Sequence, residues 1–267
     1  MDDFYDDNGV ARQPRVPIPS LGPDFDRVPR LDEVENNIDQ LLDYLYTRES
    51  VHPTHEQALR RHRPDDVIET STRRFHQTRE PSHRWVLYLA VATAGGPRAA
   101  DWFRSTLPRE SPIDRLRRLD IVQTSLSHHE VLDIALAAIE EIAPDRRQEH
   151  LRSLFKLPDP RLVTWIESNA CQPVANVWGE LAAACDIDWV TTRRWLKSGR
   201  PLSLVALDSI ACRSSHAGSC STLPRLQIVG GRLELFAALE ELAATDPVPR
   251  ITKLVEQIAV NADAILG

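Results

Sequence analysis

Residues 111–142 read SPIDRLRRLDIVQTSLSHHEVLDIALAAIEEI, and their punctuation decides the class of fold. Ser111 before Pro112 is a helix start: the hydroxyl can accept from an orphan N–H, and a proline at the first position loses nothing by lacking its own. Ile113, Leu116, Leu119 and Val122 recur at three- and four-residue steps, the period of one helix face, while Arg115, Arg117 and Arg118 lie around the others. Ser127-His128-His129-Glu130 is then a capping box, followed by a second stripe of Val131, Ile134, Ala135, Leu136, Ile139 and Ile142. The product is a helical hairpin too small to bury both stripes alone.

The same mark recurs at Asp159-Pro160, Arg200-Pro201 and Asp246-Pro247, at steps of roughly 40 to 50 residues, the size of one hairpin unit. Between these marks, Leu162, Val163, Trp165 and Ile166 follow Pro160, and a helix across Val174, Val177, Trp178, Leu181 and Cys185 is read as starting at Pro173. Asp145 with Gln148 repeats the capping arrangement, Asp188 caps a helix from Trp189 to Leu196, and Gly199 ends it. Residues 212–231 are the least regular, a long loop with one short helix at 226–229 or, failing that, a hairpin about the Gly230-Gly231 pair. LELFAALEELAAT and a last helix from about Val248 complete this half.

Toward the N-terminus, Leu31, Val34, Ile38, Leu41, Leu42 and Leu45 predict one amphipathic helix. A polar helix over 55–63, a restart at Pro64, a buried helix capped by Ser82 and stopped by Gly95-Gly96, and another opened by Pro97 come next. Residues 1–29, with Asp2, Asp3, Asp6 and Asp7 around Phe4 and Tyr5 and then five prolines, read as an acidic, Pro-rich tail. The division expected is therefore tail 1–29 and helical repeat domain 30–267.

Composition agrees with an all-α chain. Ten glycines and nineteen prolines in 267 residues suit helices that begin at proline and meet in short loops, and do not suit sheets. No apolar run is long enough for a membrane span, the start is acidic and polar, and four cysteines are too few for a disulfide framework, so a cytoplasmic protein off the membrane is expected.

The span from Arg60 to Arg118 holds 13 Arg against 7 Asp plus Glu, whereas the whole chain carries a net charge of -7. Arg60, Arg61, Arg63, Arg73, Arg74, Arg84, Arg115, Arg117 and Arg118 are the candidate partner-binding cations, for an acidic protein surface or for phosphate. Six tryptophans fall mostly within apolar stripes; Trp195, beside Arg193, Arg194 and Lys197, is the candidate exposed anchor. Cys212, His216 and Cys220 have ligand-type spacing but lack a near fourth ligand, so loop residues are the better reading and no metal or cofactor is expected. No Gly-rich phosphate loop, Gly-x-Ser-x-Gly elbow or His-Glu-x-x-His is present, and no catalytic residue is assigned.

PRLVTWIESNA from Pro160, PLSLVALDSIA from Pro201 and PVPRITKLVEQIA from Pro247 share a proline start and spaced Val, Ile or Leu. They resemble the second helices of HEAT-like repeats, whose units begin with an Asp-Pro turn. Asp159-Pro160 with Val163, Asp246-Pro247 with Ile251, and the Ala206-Leu207 pair carry the likeness, which covers about residues 82–260. The family's Arg after the Val is replaced by Thr164 and Ala206. The resemblance implies an α-solenoid that binds another protein as scaffold or adaptor; an irregular compact bundle is the alternative fold, and a nucleic-acid-binding repeat protein using residues 60–118 the alternative function.

Overall fold

The computed structural model describes residues 30–48, 51–213 and 223–266. The tail at 1–29, and His216 and Cys220 of the candidate ligand set, lie outside these. Among the described residues the chain is all-helical, with one isolated bridge where Leu226 pairs with Leu266. The helices are α1 (Leu31–Val34), α2 (Ile38–Tyr46), α3 (Pro53–Arg60), α4 (Pro64–Gln77), α5 (Pro81–Ala94), α6 (Gly96–Thr106), α7 (Pro112–Val122) and α8 (His128–Glu141). A 3-10 segment, Arg147–Leu154, precedes α9 (Pro160–Asn169), α10 (Asn176–Ala184), α11 (Trp189–Lys197), α12 (Leu202–Cys212), α13 (Gly231–Thr245), α14 (Pro249–Val260) and α15 (Ala262–Ile265).

Local chemistry sets most of these boundaries. Proline stands at the first position of α3, α4, α5, α7, α9 and α14, where a missing N–H is harmless. Ser111 accepts from the Asp114 N–H, Asp159 from that of Arg161 at 2.8 Å and Asp188 from that of Thr191 at 2.7 Å. The Ser127–Glu130 box is closed in both directions. Glu130 is drawn down to a pKa of about 2 by the Arg104 guanidinium and by Ser127. Gly95 and Gly199 take the positive φ angles, 70° and 74°, that end α5 and follow α11.

Several expectations are corrected. The helix predicted from Leu31 is two, because Asn37 turns its side chain back to accept from the Asp39 and Gln40 N–H groups and so caps a fresh start. Ser82 lies inside α5, whose flanking residue is Glu80. Asp145 makes no capping box with Gln148. Gln148 instead reaches across to the next hairpin, donating to the Pro173 carbonyl and accepting from Ala175 N–H and the Trp178 indole, and the segment is 3-10 helix. Helix α10 begins at Asn176 rather than Pro173; α14 begins at Pro249 with Val248 at its N-cap, as expected, while Asp246 of the Asp246-Pro247 mark closes α13 instead of opening α14. Residues 226–229 form neither a helix nor a hairpin: the Leu226 N–H is taken by the Ile265 carbonyl at 2.8 Å.

The helices pack in chain order as two rows. In one, α5 lies against α7, α7 against the 3-10 segment, that segment against α10, α10 against α12 and α12 against α14. In the other, α4 contacts α6, Arg104 of α6 pairs with Glu130 of α8, and Arg161 of α9 with Asp133 of α8. Glu167 of α9 receives the Trp195 indole N–H and the Arg194 guanidinium of α11. Charged contacts between neighbouring units thus join residues from 26 to 46 apart, one structural step along the chain. Arg250 reaches further, to the Val174 carbonyl and Asn176, 76 and 74 residues away.

A single apolar cluster runs between the rows from Val34 to Ile265. Its N-terminal part is aromatic, with Phe75, Tyr88, Trp102 and Phe103 in mutual ring contact. Its C-terminal part centres on α12, where every residue from Ser203 to Ala211 is buried. Helices α10 and α12 approach so closely at Gly179 that a Cβ there would stand 2.7 Å from the Asp208 carbonyl carbon and the Ser209 nitrogen, closer than packed atoms tolerate.

Candidate functional site

Most of the arginines of residues 60–118 are occupied within the protein. Arg73 and Arg74 both grip Asp39, and Arg74 also binds Asp43 and stacks over Tyr46. Asp39, although burial opposes its ionisation, is held below the usual carboxylate range by those two guanidinium groups. Arg84 donates to Glu110 and to the Thr78 carbonyl while lying over the Phe75 ring. Arg115 pairs with Glu141, Arg117 with Asp114, Arg61 with Glu35 and Arg60 with Glu56.

Arg118 is the extreme case. It is 3% exposed, donates to the Pro81 carbonyl at 2.8 Å and lies over Tyr88. Burial lowers its pKa, against the pull of Glu110. Arg63 is exposed next to α4. The expected basic face is therefore divided: Arg115 and Arg118 are buried, Arg74 and Arg84 are half-buried clamps, and only the remainder stand at the surface. A guanidinium already bonded to a carboxylate must give up that bond or share it before it can take phosphate.

Trp195 is likewise not at the surface. Its ring is fully enclosed and its N–H donates to Glu167 at 2.6 Å, as burial of an indole requires. The exposed anchor expected there is replaced by its neighbours. Three-residue and four-residue steps carry Arg193, Arg194 and Lys197 to the outer side of α11 while Trp195 and Leu196 turn inward.

Beside that outer side lies a cleft of about 590 Å³, between α11 and α13. Leu196, Ala238 and Leu242 form its apolar floor, and Gln172, Gly199 and Thr245 bound it. Three ion pairs cross it from row neighbour to row neighbour: Arg193 to Glu234, Lys197 to Glu241 at 3.1 Å and Arg200 to Asp246 at 2.9 Å. All six partners keep part of their surface in solvent, so each is free to take a second contact. Such a surface, apolar below and polar on both rims, suits an extended polypeptide better than a small ligand, which needs enclosure. The signal for it was the cation spacing on α11, and its acidic half on α13 lay some 40 residues further along, beyond any local pattern.

A second polar group joins α8 to α9. His128 and His129 face the buried carboxylate of Asp159, and Arg161 binds Asp159, Asp133 and the His129 ring. Asp159, despite burial, is held low by Arg161 through its backbone N–H and side chain. This group is absorbed in capping α9 and tying it to α8. Cys185 and Cys212 are partly buried rather than fully so; burial pushes their thiols up to about 11 and about 12, which leaves little thiolate. Among the described residues no three His, Cys, Asp or Glu groups are gathered for a metal, and no helix is long and apolar enough to cross a membrane.

Compared with protein-family models, with curated proteins and with solved structures, the chain finds no match in any of the three.

Proposed function

We propose that this chain is a non-catalytic helical-repeat scaffold, a HEAT-like α-solenoid, that binds another protein through the cleft between α11 and α13. The observation that carries the reading is the cleft itself: an apolar floor spanned by three solvent-accessible ion pairs, built on helices that neighbour each other in one row. Packing in chain order, with ion pairs one structural step apart, supports the repeat reading, because each unit then shields its stripe against the next. Rigid helices present the cleft without an ordering cost at the moment of binding.

The competing nucleic-acid reading draws less support, since Arg74, Arg84, Arg115 and Arg118 are spent on internal carboxylates and carbonyls. The two readings separate in a pull-down from the source cell, run with nuclease and at raised salt, with wild type beside Lys197→Glu on the cleft and Val190→Asp in the adjoining hollow over α11, which shares Arg193 and Lys197 with it. Both positions are exposed, so the fold tolerates them. Capture of a protein that survives nuclease and is lost in both variants supports the proposal. Capture that vanishes with nuclease and is indifferent to the two variants overturns it.

A further inference from the structure

Helix α13 is apolar on more sides than its packing covers. Leu235, Ala238, Leu239 and Leu242 are buried where it meets α11 and α14, and Glu234, Glu241 and Thr245 line the cleft or pair across it. At 100° per residue, Arg232, Phe236, Glu240 and Ala243 fall on the side turned away from α11, with Leu233 next to them. A helix that is apolar all round is ordinarily covered all round. Here three of the four large apolar side chains exposed among the described residues gather at one end of the α13–α14 unit: Val229 at 96%, Leu233 at 83% and Val260 at 85%. The Arg232–Asp263 pair and the Leu226–Leu266 bridge bring the start of α13 to the end of α14 there.

The order of charges on that side selects what covers it. Arg232, Phe236 and Glu240 stand at four-residue steps, so a cation and a carboxylate lie equally far on either side of the ring. Turned about a two-fold axis at Phe236, a second α13 runs antiparallel to the first, and Arg232 of each copy meets Glu240 of the other. Glu240 has no ion pair among the described residues. Arg232 reaches Asp263 through one terminal nitrogen only and lies over its own Phe236 ring, which leaves N–H donors for a second carboxylate. Ala237 and Ala244 on the same side are small and exposed, so two such helices can close to contact distance.

We propose that this chain forms a two-fold dimer through the outer side of α13, each copy covering the apolar side that the other leaves open. Helix α13 has 15 residues and is about 22 Å long; with α14 roughly 10 Å beside it, the face measures on the order of 450 Å² in each copy. Some 900 Å² for the pair, roughly, is the low end of specific interfaces, so the dimer is reversible and depends on concentration. The cleft lies on the opposite side of α13 and stays open, which sets two clefts back to back about the axis. The dimer does not require the cleft to be a docking surface, and the two readings fail separately.

Sedimentation equilibrium of the full chain tests this. The mass is expected to rise from one chain toward two between about 1 μM and about 500 μM and to stop there, as an interface of this size predicts. Leu233→Glu, at an exposed position, is expected to raise the dissociation constant at least about tenfold, since the change enters the interface twice. Arg232→Glu and Glu240→Arg each set like charges against one another at both symmetry-related contacts and are expected to weaken the dimer by a similar factor. Mixed in equal amounts, these two charge variants are expected to regain the wild-type dissociation constant within a few-fold, because each altered position then faces an opposite charge on the other copy. Such recovery excludes misfolding as the cause of the loss. A mass of one chain at every concentration, growth beyond two chains, a dimer indifferent to the three variants, or a mixture that stays monomeric overturns the inference.

Discussion

The α10–α12 pair and the α11–α13 pair sit in adjoining rows of the same array, yet one is closed and the other open. Between α10 and α12 a glycine lets the backbones meet, and Asp208, buried beside it, is neutralised by Arg250 from α14 at 2.6 Å. Between α11 and α13 the helices stand apart, and long charged side chains bridge the gap over Leu196, Ala238 and Leu242. The lesson is that a residue type alone does not tell a wall from a window: Arg250 and Arg118 seal the interior, while Arg193 and Arg200 frame an opening.

The comparison is broken most severely at Gly179. Gly179→Val forces α10 off α12, since its Cβ meets the Asp208 Cβ and the backbone beside it rather than the far end of a yielding side chain. Urea denaturation is expected to show a loss of about 3 kcal/mol, the upper part of the overpacking range. An unchanged midpoint would mean that the rows are not set by this contact.

Next is Arg250→Ala, which strips Asp208 of its partner and frees Val174 and Asn176. The expected cost at pH 7 is about 2 kcal/mol, below that of a fully buried pair because Arg250 is partly exposed. Burial raises the Asp208 pKa, against the pull of Arg250. A carboxyl raised on folding contributes stability that is fully present below its unfolded value of about 3.9 and is lost as pH rises through the folded value. Removing Arg250 raises the folded value further, so the deficit of the variant should shrink between pH 7 and pH 4. Equal deficits at both would show that packing, and not the charge, carries the effect.

A smaller change sharpens the boundary between the rows. Trp195→Phe removes the indole N–H held by Glu167 and is expected to cost about 1 to 2 kcal/mol by thermal or chemical unfolding. The smallest is Lys197→Ala, where one exposed ion pair across the cleft is lost. Stability should fall by no more than about 0.5 kcal/mol, whereas the partner capture proposed for the cleft should be weakened. A large stability loss there would make the ion pairs structural struts, and the cleft no docking surface.

The helices were legible from residue order because their causes are local. Ser111, Ser127, Asp159 and Asp188 cap helices within three residues of themselves, and the apolar stripes after them name the buried face before any fold is known. The misreadings were of the same local kind but with competing partners: Asn37 caps where a continuous stripe was expected, and Gln148 serves the next hairpin instead of its own. Burial of the tryptophans followed from their stripes, except that Trp195 has a cationic setting on the chain and an acidic one in space.

Residue order by itself determined that this is a series of proline-punctuated amphipathic helices, since capping and periodicity act over one or two turns. Only the tertiary structure decided what the charges do. The roles of Arg84, Arg118 and Arg250 depend on a carboxylate or carbonyl 26 to 76 residues away, and nothing within a helical turn encodes that distance. For the same reason the cleft emerged only from packing: its cations follow from α11 and its acids from α13, and only the packing of those two helices brings them to opposite rims.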